Sequence, residues 1–211
     1  AFSRDADAPD AYALTLDEIE TKVQEAIRRY QINEIHIVGG HNPELGFDYY
    51  LGMMRRLRRL DEKIFIKAFS APEIDFMAKC SKLSCEEVLR RLKEAGLDGM
   101  PGGGAEIFDP GVRAKICPKK ISGEEWLQIH RVAHEAGIKT NATMLYGHVE
   151  TDEQRVAHLL KLRELQDDTK GFCAFVPLAY HPEHNTLRGV QATSGFLDLK
   201  VLSISRLLLD N

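Results

Sequence analysis

The sequence predicts an α/β chain, a partial (β/α) barrel of the TIM-barrel-like kind in which parallel strands alternate with helices. Three observations carry that reading. Short apolar or β-branched runs begin near residues 34, 64, 97, 139 and 172, in steps of 30, 33, 42 and 33 residues, enough in each step for a strand, a turn and a returning helix. The runs are nearly continuous in apolar residues, as strands covered on both faces are. The stretches between them carry helix-period apolar residues behind N-terminal capping signals. A complete eight-unit barrel takes about 250 residues, so 211 residues with five visible strands predict either a partial barrel or part of one, organised as a single domain over residues 1–211.

In chain order, Thr15 and Glu18 form the first capping pair, ahead of a helix whose apolar face is Leu16, Ile19, Val23, Ala26, Ile27 and Tyr30. A strand over Glu34–Val38 follows, then a helix over Phe47–Leu60 in which Arg55, Arg56, Arg58 and Arg59 form a solvated face, then a strand over Ile64–Phe69. Ser84/Glu87, Ser122/Glu125 and Thr151/Gln154 cap three further helices, the last with Val156, Leu159, Leu160 and Leu165 on its apolar face. These helices are predicted to end on Gly96, Gly137 and Gly171, since glycine takes the left-handed residue past a helix end without steric cost. Each is followed by a strand, over Leu97–Met100, Lys139–Leu145 and Phe172–Leu178. A polar stretch from Arg188 to Gly195 leads into a final helix over Leu197–Leu209.

Composition excludes several classes. Hydrophobic residues at 44 % and charged residues at 28 % are those of a chain with a core, not of a disordered one. A net charge of −4 and no basic face interleaved with aromatics exclude nucleic acid as a partner. No apolar run reaches the roughly 18–20 residues that cross a bilayer, and no signal-peptide layout opens the chain, so no membrane partner and a cytoplasmic location are expected. Cys80, Cys85, Cys117 and Cys173 form no C-x-x-C pair, which reads as reduced thiols with no metal ligand set among them.

In α/β folds of this kind chemistry gathers at the carboxyl ends of the strands. Those ends carry Gly39-Gly40-His41-Asn42-Pro43, Ser70 with Glu73, Pro101-Gly102-Gly103-Gly104-Ala105-Glu106, Tyr146-Gly147-His148-Val149-Glu150 and Tyr180-His181-Pro182-Glu183-His184. Two glycine turns would let a small molecule reach backbone N–H groups, or would merely permit tight turns. His41, His148, His181 and His184 with Glu106 would suit a divalent metal, giving a metal-dependent hydrolase or lyase, or would hydrogen-bond a ligand and loops. His130 and His134 read as helix-surface residues, His36 and His158 as structural. Lys67, inside an apolar strand, needs a partner: a substrate carboxylate, a glutamate such as Glu106, or water at a strand edge.

The segments Val38-Gly39-Gly40-His41-Asn42-Pro43, Pro101 to Ile107, Ile116-Cys117-Pro118-Lys119-Lys120-Ile121-Ser122, Asn141 to Glu150 and Ala179-Tyr180-His181-Pro182-Glu183 together resemble the radical S-adenosylmethionine (SAM) enzymes of futalosine-dependent menaquinone biosynthesis. Ile116-Cys117-Pro118 and His181-Pro182-Glu183 resemble the aminofutalosine synthases; the sister dehypoxanthine futalosine cyclases tend to carry Ser-Pro and Gln-Pro-Glu there. The resemblance implies a radical SAM type of partial barrel and a [4Fe-4S] cluster held by a C-x-x-x-C-x-x-C loop that this sequence lacks. In the family Ala-Phe-Ser-Arg follows the last of those cysteines, and the sequence opens Ala1-Phe2-Ser3-Arg4, so it is expected to start one residue past the loop and to stop early near Asp210-Asn211. The implied activity joins the 5′-deoxyadenosyl group of SAM to the enolpyruvyl double bond of a chorismate-derived 3-[(1-carboxyvinyl)oxy]benzoate, with loss of carbon dioxide, to give aminofutalosine. It also implies a reductant for the cluster. On this reading Gly39, Gly40 and Asn42 meet the methionine end of SAM, Glu106 the ribose, and Tyr146, Gly147, His148 and Glu150 the adenine side. Lys67 and Arg113 would bind carboxylates with Lys119 in reserve, Ser70 and Gly102, Gly103 and Gly104 would line the substrate, and His181 would shape or protonate it. The histidine-rim hydrolase and a catalytically silent SAM-binding fragment stand beside it as alternatives.

Overall fold

The computed structural model describes residues 8–9, 11–183 and 187–209; the Ala1–Arg4 opening, His184 and the Asp210-Asn211 end lie outside the described residues. The chain divides into two compact units, one running to Pro101 and the other from Gly102.

The first unit holds α1 (Leu16–Tyr30), β1 (Glu34–Ile37), α2 (Phe47–Leu60), β2 (Phe65–Ala68), α3 (Ala71–Ser81), α4 (Cys85–Glu94) and β3 (Gly99–Met100). Its strands are parallel, with Glu34 opposite Phe65, Ile37 opposite Ala68, and Lys67 opposite Gly99. Ile35, Ile66 and Ala68 are buried, while the alternate residues Glu34, His36, Phe65 and Lys67 look out from the other face. Met54, Leu57, Ile64, Ile66, Ile74, Leu89, Leu92 and Met100 are essentially buried, each contributing about 1.5–3 kcal/mol of transfer free energy. The third strand is shorter than the sequence predicts because the Leu97 N–H closes the end of α4 on the Leu92 carbonyl; the chain first meets β2 where the Asp98 N–H donates to the Ile66 carbonyl, just ahead of Gly99.

The second unit holds α5 (Pro110–Ile116), α6 (Gly123–Glu135), β4 (Lys139–Tyr146), α7 (Asp152–Thr169), β5 (Phe172–Ala179) and α8 (Gly195–Leu208). Strands β4 and β5 are parallel, with a register irregularity after Thr140. Ile107, Val112, Met144, Tyr146, Leu159 and Val201 form one core cluster.

Several local expectations are corrected. Ser84 caps α4 by accepting the Glu87 N–H, but the Glu87 carboxylate binds Arg90 and Arg91 and does not complete the box. The left-handed residue after α7 is Lys170, not Gly171; Gly171 is glycine because a Cβ there would strike the His134 ring. Leu160 is exposed and His158 occupies the buried helical position beside Leu159. His130 and His134 are not surface residues: His130 is buried and stacked on Trp126, and both rings bond the Thr140 hydroxyl at 2.8 Å. Arg58 is not solvated either; it binds Asp98 and the carbonyls of Glu62, Ile64 and Gly96.

Candidate functional site

In the first unit the chain leaves β1 through Val38, Gly39 and Gly40, all exposed. Neither glycine has positive φ. A Cβ at Gly40 would meet no atom within 4 Å, and one at Gly39 would make only an ordinary 3.6 Å contact with the Glu73 carboxylate. Neither backbone conformation nor packing requires glycine at these two positions. Asn42 turns inward, its Oδ1 accepting the Glu44 N–H at 2.9 Å, and the His41 ring stacks on Phe76 with centroids 4.7 Å apart.

The neighbouring strand end explains how this loop is held. Phe69 is buried with φ of 61°, a left-handed conformation costly for an aromatic residue. It turns the chain from β2 into α3, whose first turn carries Glu73. Glu73 is only 7 % exposed. Its Oε2 accepts the Ser70 N–H at 2.8 Å and the Ser70 hydroxyl at 2.6 Å, and its Oε1 accepts the Gly39 N–H at 3.0 Å. Ser70, expected at a substrate, is therefore committed to Glu73. Lys67 pairs with a glutamate of its own unit: its Nζ lies 2.7 Å from Glu34 and over the Phe65 ring.

In the second unit the triple glycine has structural duties. A Cβ at Gly102 would lie 2.7 Å from the Asn141 carbonyl oxygen and 2.8 Å from the Ala142 carbonyl carbon. The Gly103 carbonyl accepts the Trp126 indole N–H at 3.1 Å, and Gly104 takes φ of 87°. Arg113 is 5 % exposed. Its guanidinium donates to the carbonyls of Ala105 at 2.6 Å, Ile107 at 3.2 Å, Gly104 at 3.2 Å and Ile121. It ties the loop from Gly104 to Ile107 down and has no face left for a substrate carboxylate, which corrects the sequence expectation.

Glu106 sits at φ of 45°, its carbonyl accepting the Leu145 N–H at 2.9 Å and its carboxylate 2.5 Å from the Lys120 ammonium. These residues, with Ile116, Cys117, Pro118, Lys119 and Leu145, line a cleft of about 390 Å³. Burial pushes the Cys117 thiol up, away from thiolate. At the end of β4 the loop binds itself. Glu150 accepts the N–H groups of Gly147 at 2.6 Å and His148 at 2.8 Å, and also binds the His148 ring and Arg155. Burial pushes the Glu150 carboxyl up, but the His148 ring and those two N–H groups outweigh it and hold the group down at about 2. Gly147 is glycine for φ of 84° and because a Cβ would strike Thr193. The Tyr146 hydroxyl donates to Asp198 at 2.8 Å, and burial, then that bond, pushes it up to about 12. His181 is exposed just past β5, beside Tyr180, whose N–H donates to the Tyr146 carbonyl.

The structure thus links Gly39 to Ser70 through Glu73, and Glu106 to the β4 loop through Leu145. Among the described residues no group of three or more His, Cys, Asp or Glu side chains could hold a metal; the His148 ring is held by Glu150. No helix among the described residues is long and apolar enough to cross a membrane.

Residues 1–162 match the Radical SAM superfamily. The chain belongs to that family. It is 48 % identical to an aminodeoxyfutalosine synthase of Thermus thermophilus, over all of this chain and 58 % of that protein. It is 43 % identical to a 5-amino-6-(D-ribitylamino)uracil–L-tyrosine 4-hydroxyphenyl transferase of Archaeoglobus fulgidus, over 94 % of this chain and 58 % of that one. The chain therefore spans a little over half the length of these relatives. The crystal structure of methylornithine synthase, 16 % identical, superposes with a TM-score of 0.64 over 94 % of this chain and 54 % of its own. That likeness concerns the fold, and it agrees with the family in giving a partial (β/α) barrel of the radical SAM type.

The cysteines present do not fit the [4Fe-4S] cluster this family uses. Cys80 and Cys85 belong to α3 and α4, Cys117 to the end of α5 and Cys173 to β5, all as free thiols, and none forms the three-thiolate loop such a cluster takes. At the Gly39-Gly40 loop, open space stands where a Cβ at Gly40 would project.

Proposed function

We propose that this chain is the SAM-holding part, with residues 1–211 as a single core domain, of a cytoplasmic radical SAM transferase. It would join the 5′-deoxyadenosyl group of SAM to 3-[(1-carboxyvinyl)oxy]benzoate to give aminofutalosine, with methionine and carbon dioxide as the leaving products and an external reductant to start the reaction. The observation that carries the reading is the Gly39-Gly40 turn, which is glycine for no reason internal to the fold. Bound there, SAM supplies the 5′-deoxyadenosyl group that ends up in the product. Its ammonium can only donate hydrogen bonds, so it calls for the loop carbonyls, and the Gly39 N–H, which would oppose it, is already taken by Glu73. Glu106, beside the cleft, offers a carboxylate to ribose hydroxyls. The Tyr146–Glu150 loop, its N–H groups of Gly147 and His148 spent internally, supports the adenine side as a rigid wall. Lys67 meets one substrate carboxylate from the strand face. Lys119, which lines the cleft, takes the second, the part expected of Arg113. His181 stands at the substrate end.

The test is turnover by the reconstituted holoenzyme with SAM and a reductant, offered two substrate sets. Formation of aminofutalosine from the enolpyruvyl benzoate is the expected result. Turnover only with tyrosine and 5-amino-6-(D-ribitylamino)uracil would overturn it in favour of the activity named for the 43 %-identical relative.

A further inference from the structure

We infer that Glu73, which lies outside the strand-end glycine turn, is the positioning residue that fits that turn to the methionine ammonium of SAM. The inference rests on the SAM reading of Gly39-Gly40 and deepens it. Three observations carry it. Glu73 is almost buried, yet its three hydrogen-bond donors all come from strand-end loops: Ser70 twice, and Gly39 from 34 residues earlier in the chain. A helix cap needs only the Ser70 bonds; the Gly39 bond reaches beyond the cap and fixes the loop that leaves β1. The residue that swings the chain into this arrangement, Phe69, adopts a left-handed backbone that a buried aromatic residue takes only when its surroundings enforce it.

The chemistry follows from charge and from donor accounting. A cation bound at the turn would meet an unfavourable N–H dipole at Gly39; Glu73 takes up that N–H and sets a carboxylate oxygen 3.0 Å from the same nitrogen. The Gly39 N–H is thereby withdrawn from the turn and a negative group is set beside it, both favouring an ammonium at the loop carbonyls. A ligand without the amino-acid moiety gains nothing from this arrangement.

The experiment measures equilibrium binding of two ligands to the reconstituted holoenzyme: SAM, and 5′-methylthioadenosine, which keeps the nucleoside and lacks the ammonium. In Glu73→Gln, which keeps the size and one acceptor, SAM affinity should fall about tenfold, the scale of a hydrogen bond to a charged group, with 5′-methylthioadenosine affinity unchanged. Glu73→Asp, which keeps the charge on a shorter arm, should fall between Gln and the parent. Equal loss of both ligands would overturn the inference, since it would mark Glu73 as a support of the fold alone; loss of neither would overturn it as well. Gly40→Leu separates the two levels. If Gly40→Leu weakens SAM and Glu73→Gln does not, the Glu73 inference fails while the site stands; if Gly40→Leu leaves SAM affinity intact, the site itself is misplaced and the inference falls with it.

Discussion

Two glycine turns that look alike in sequence do different work. Gly102–Gly104 is glycine because the molecule leaves no alternative: a Cβ at Gly102 would enter the backbone of β4, and Gly104 holds φ of 87°. Gly39-Gly40 faces neither demand, and a Cβ at Gly40 meets open space. A glycine required by packing reports on the fold, whereas one that nothing in the fold requires leaves room for a ligand to approach the backbone, as proposed for Gly39-Gly40.

The sharpest ways to break that contrast are substitutions whose consequences differ in kind. Arg113→Met should be the most damaging, because it strands four carbonyls in a buried loop; a loss of about 3 kcal/mol or more is expected, read as a lower unfolding midpoint, and a near-neutral result would show that the Gly104–Ile107 loop stands unaided. Gly102→Ala should cost about 2 kcal/mol through overpacking against Asn141 and Ala142, measured the same way. Gly40→Leu, by contrast, should shift the midpoint by less than about 0.5 kcal/mol.

Acid should act mainly on the second unit. Burial holds His134 at about 4 and His158 at about 3, below their ordinary 6.5, and lowers His130 too. The unfolded chain takes up these protons first, so stability is full above about pH 6.5 and declines as pH falls toward those lower values. The Glu150 carboxylate adds a second loss between about 4.5 and 2. Hydrogen exchange of β4 and β5 followed from pH 7 to about pH 2 should show this opening, and Glu150→Gln should remove only the part of it below about pH 4.5. Unchanged protection down to pH 4 would contradict the buried-histidine account.

Much of the fold was legible because it rests on local rules. The apolar runs located the five strands found among the described residues, the Phe47–Leu60 helix matches the structure at both ends, and three of the four capping pairs close in full. What escaped depended on partners far apart in the chain. His130 and His134 read as surface until Thr140 and Trp126 are brought to them. Arg58 and Arg113 read as solvent or ligand cations until carbonyls close around them. Glu73 had a signal in the sequence, since Ser70-Ala71-Pro72-Glu73 is itself a capping box with proline in the first turn, but only the fold shows that its second oxygen reaches Gly39. The two glycine turns remained indistinguishable because composition cannot say which glycines are sterically compelled.

The most direct measurement is the dissociation constant of SAM for holoenzyme carrying Gly40→Leu, taken beside its thermal midpoint. An affinity at least about tenfold weaker at an unchanged midpoint is the result expected if this turn receives the ligand. Parental affinity with a leucine filling that space would contradict it.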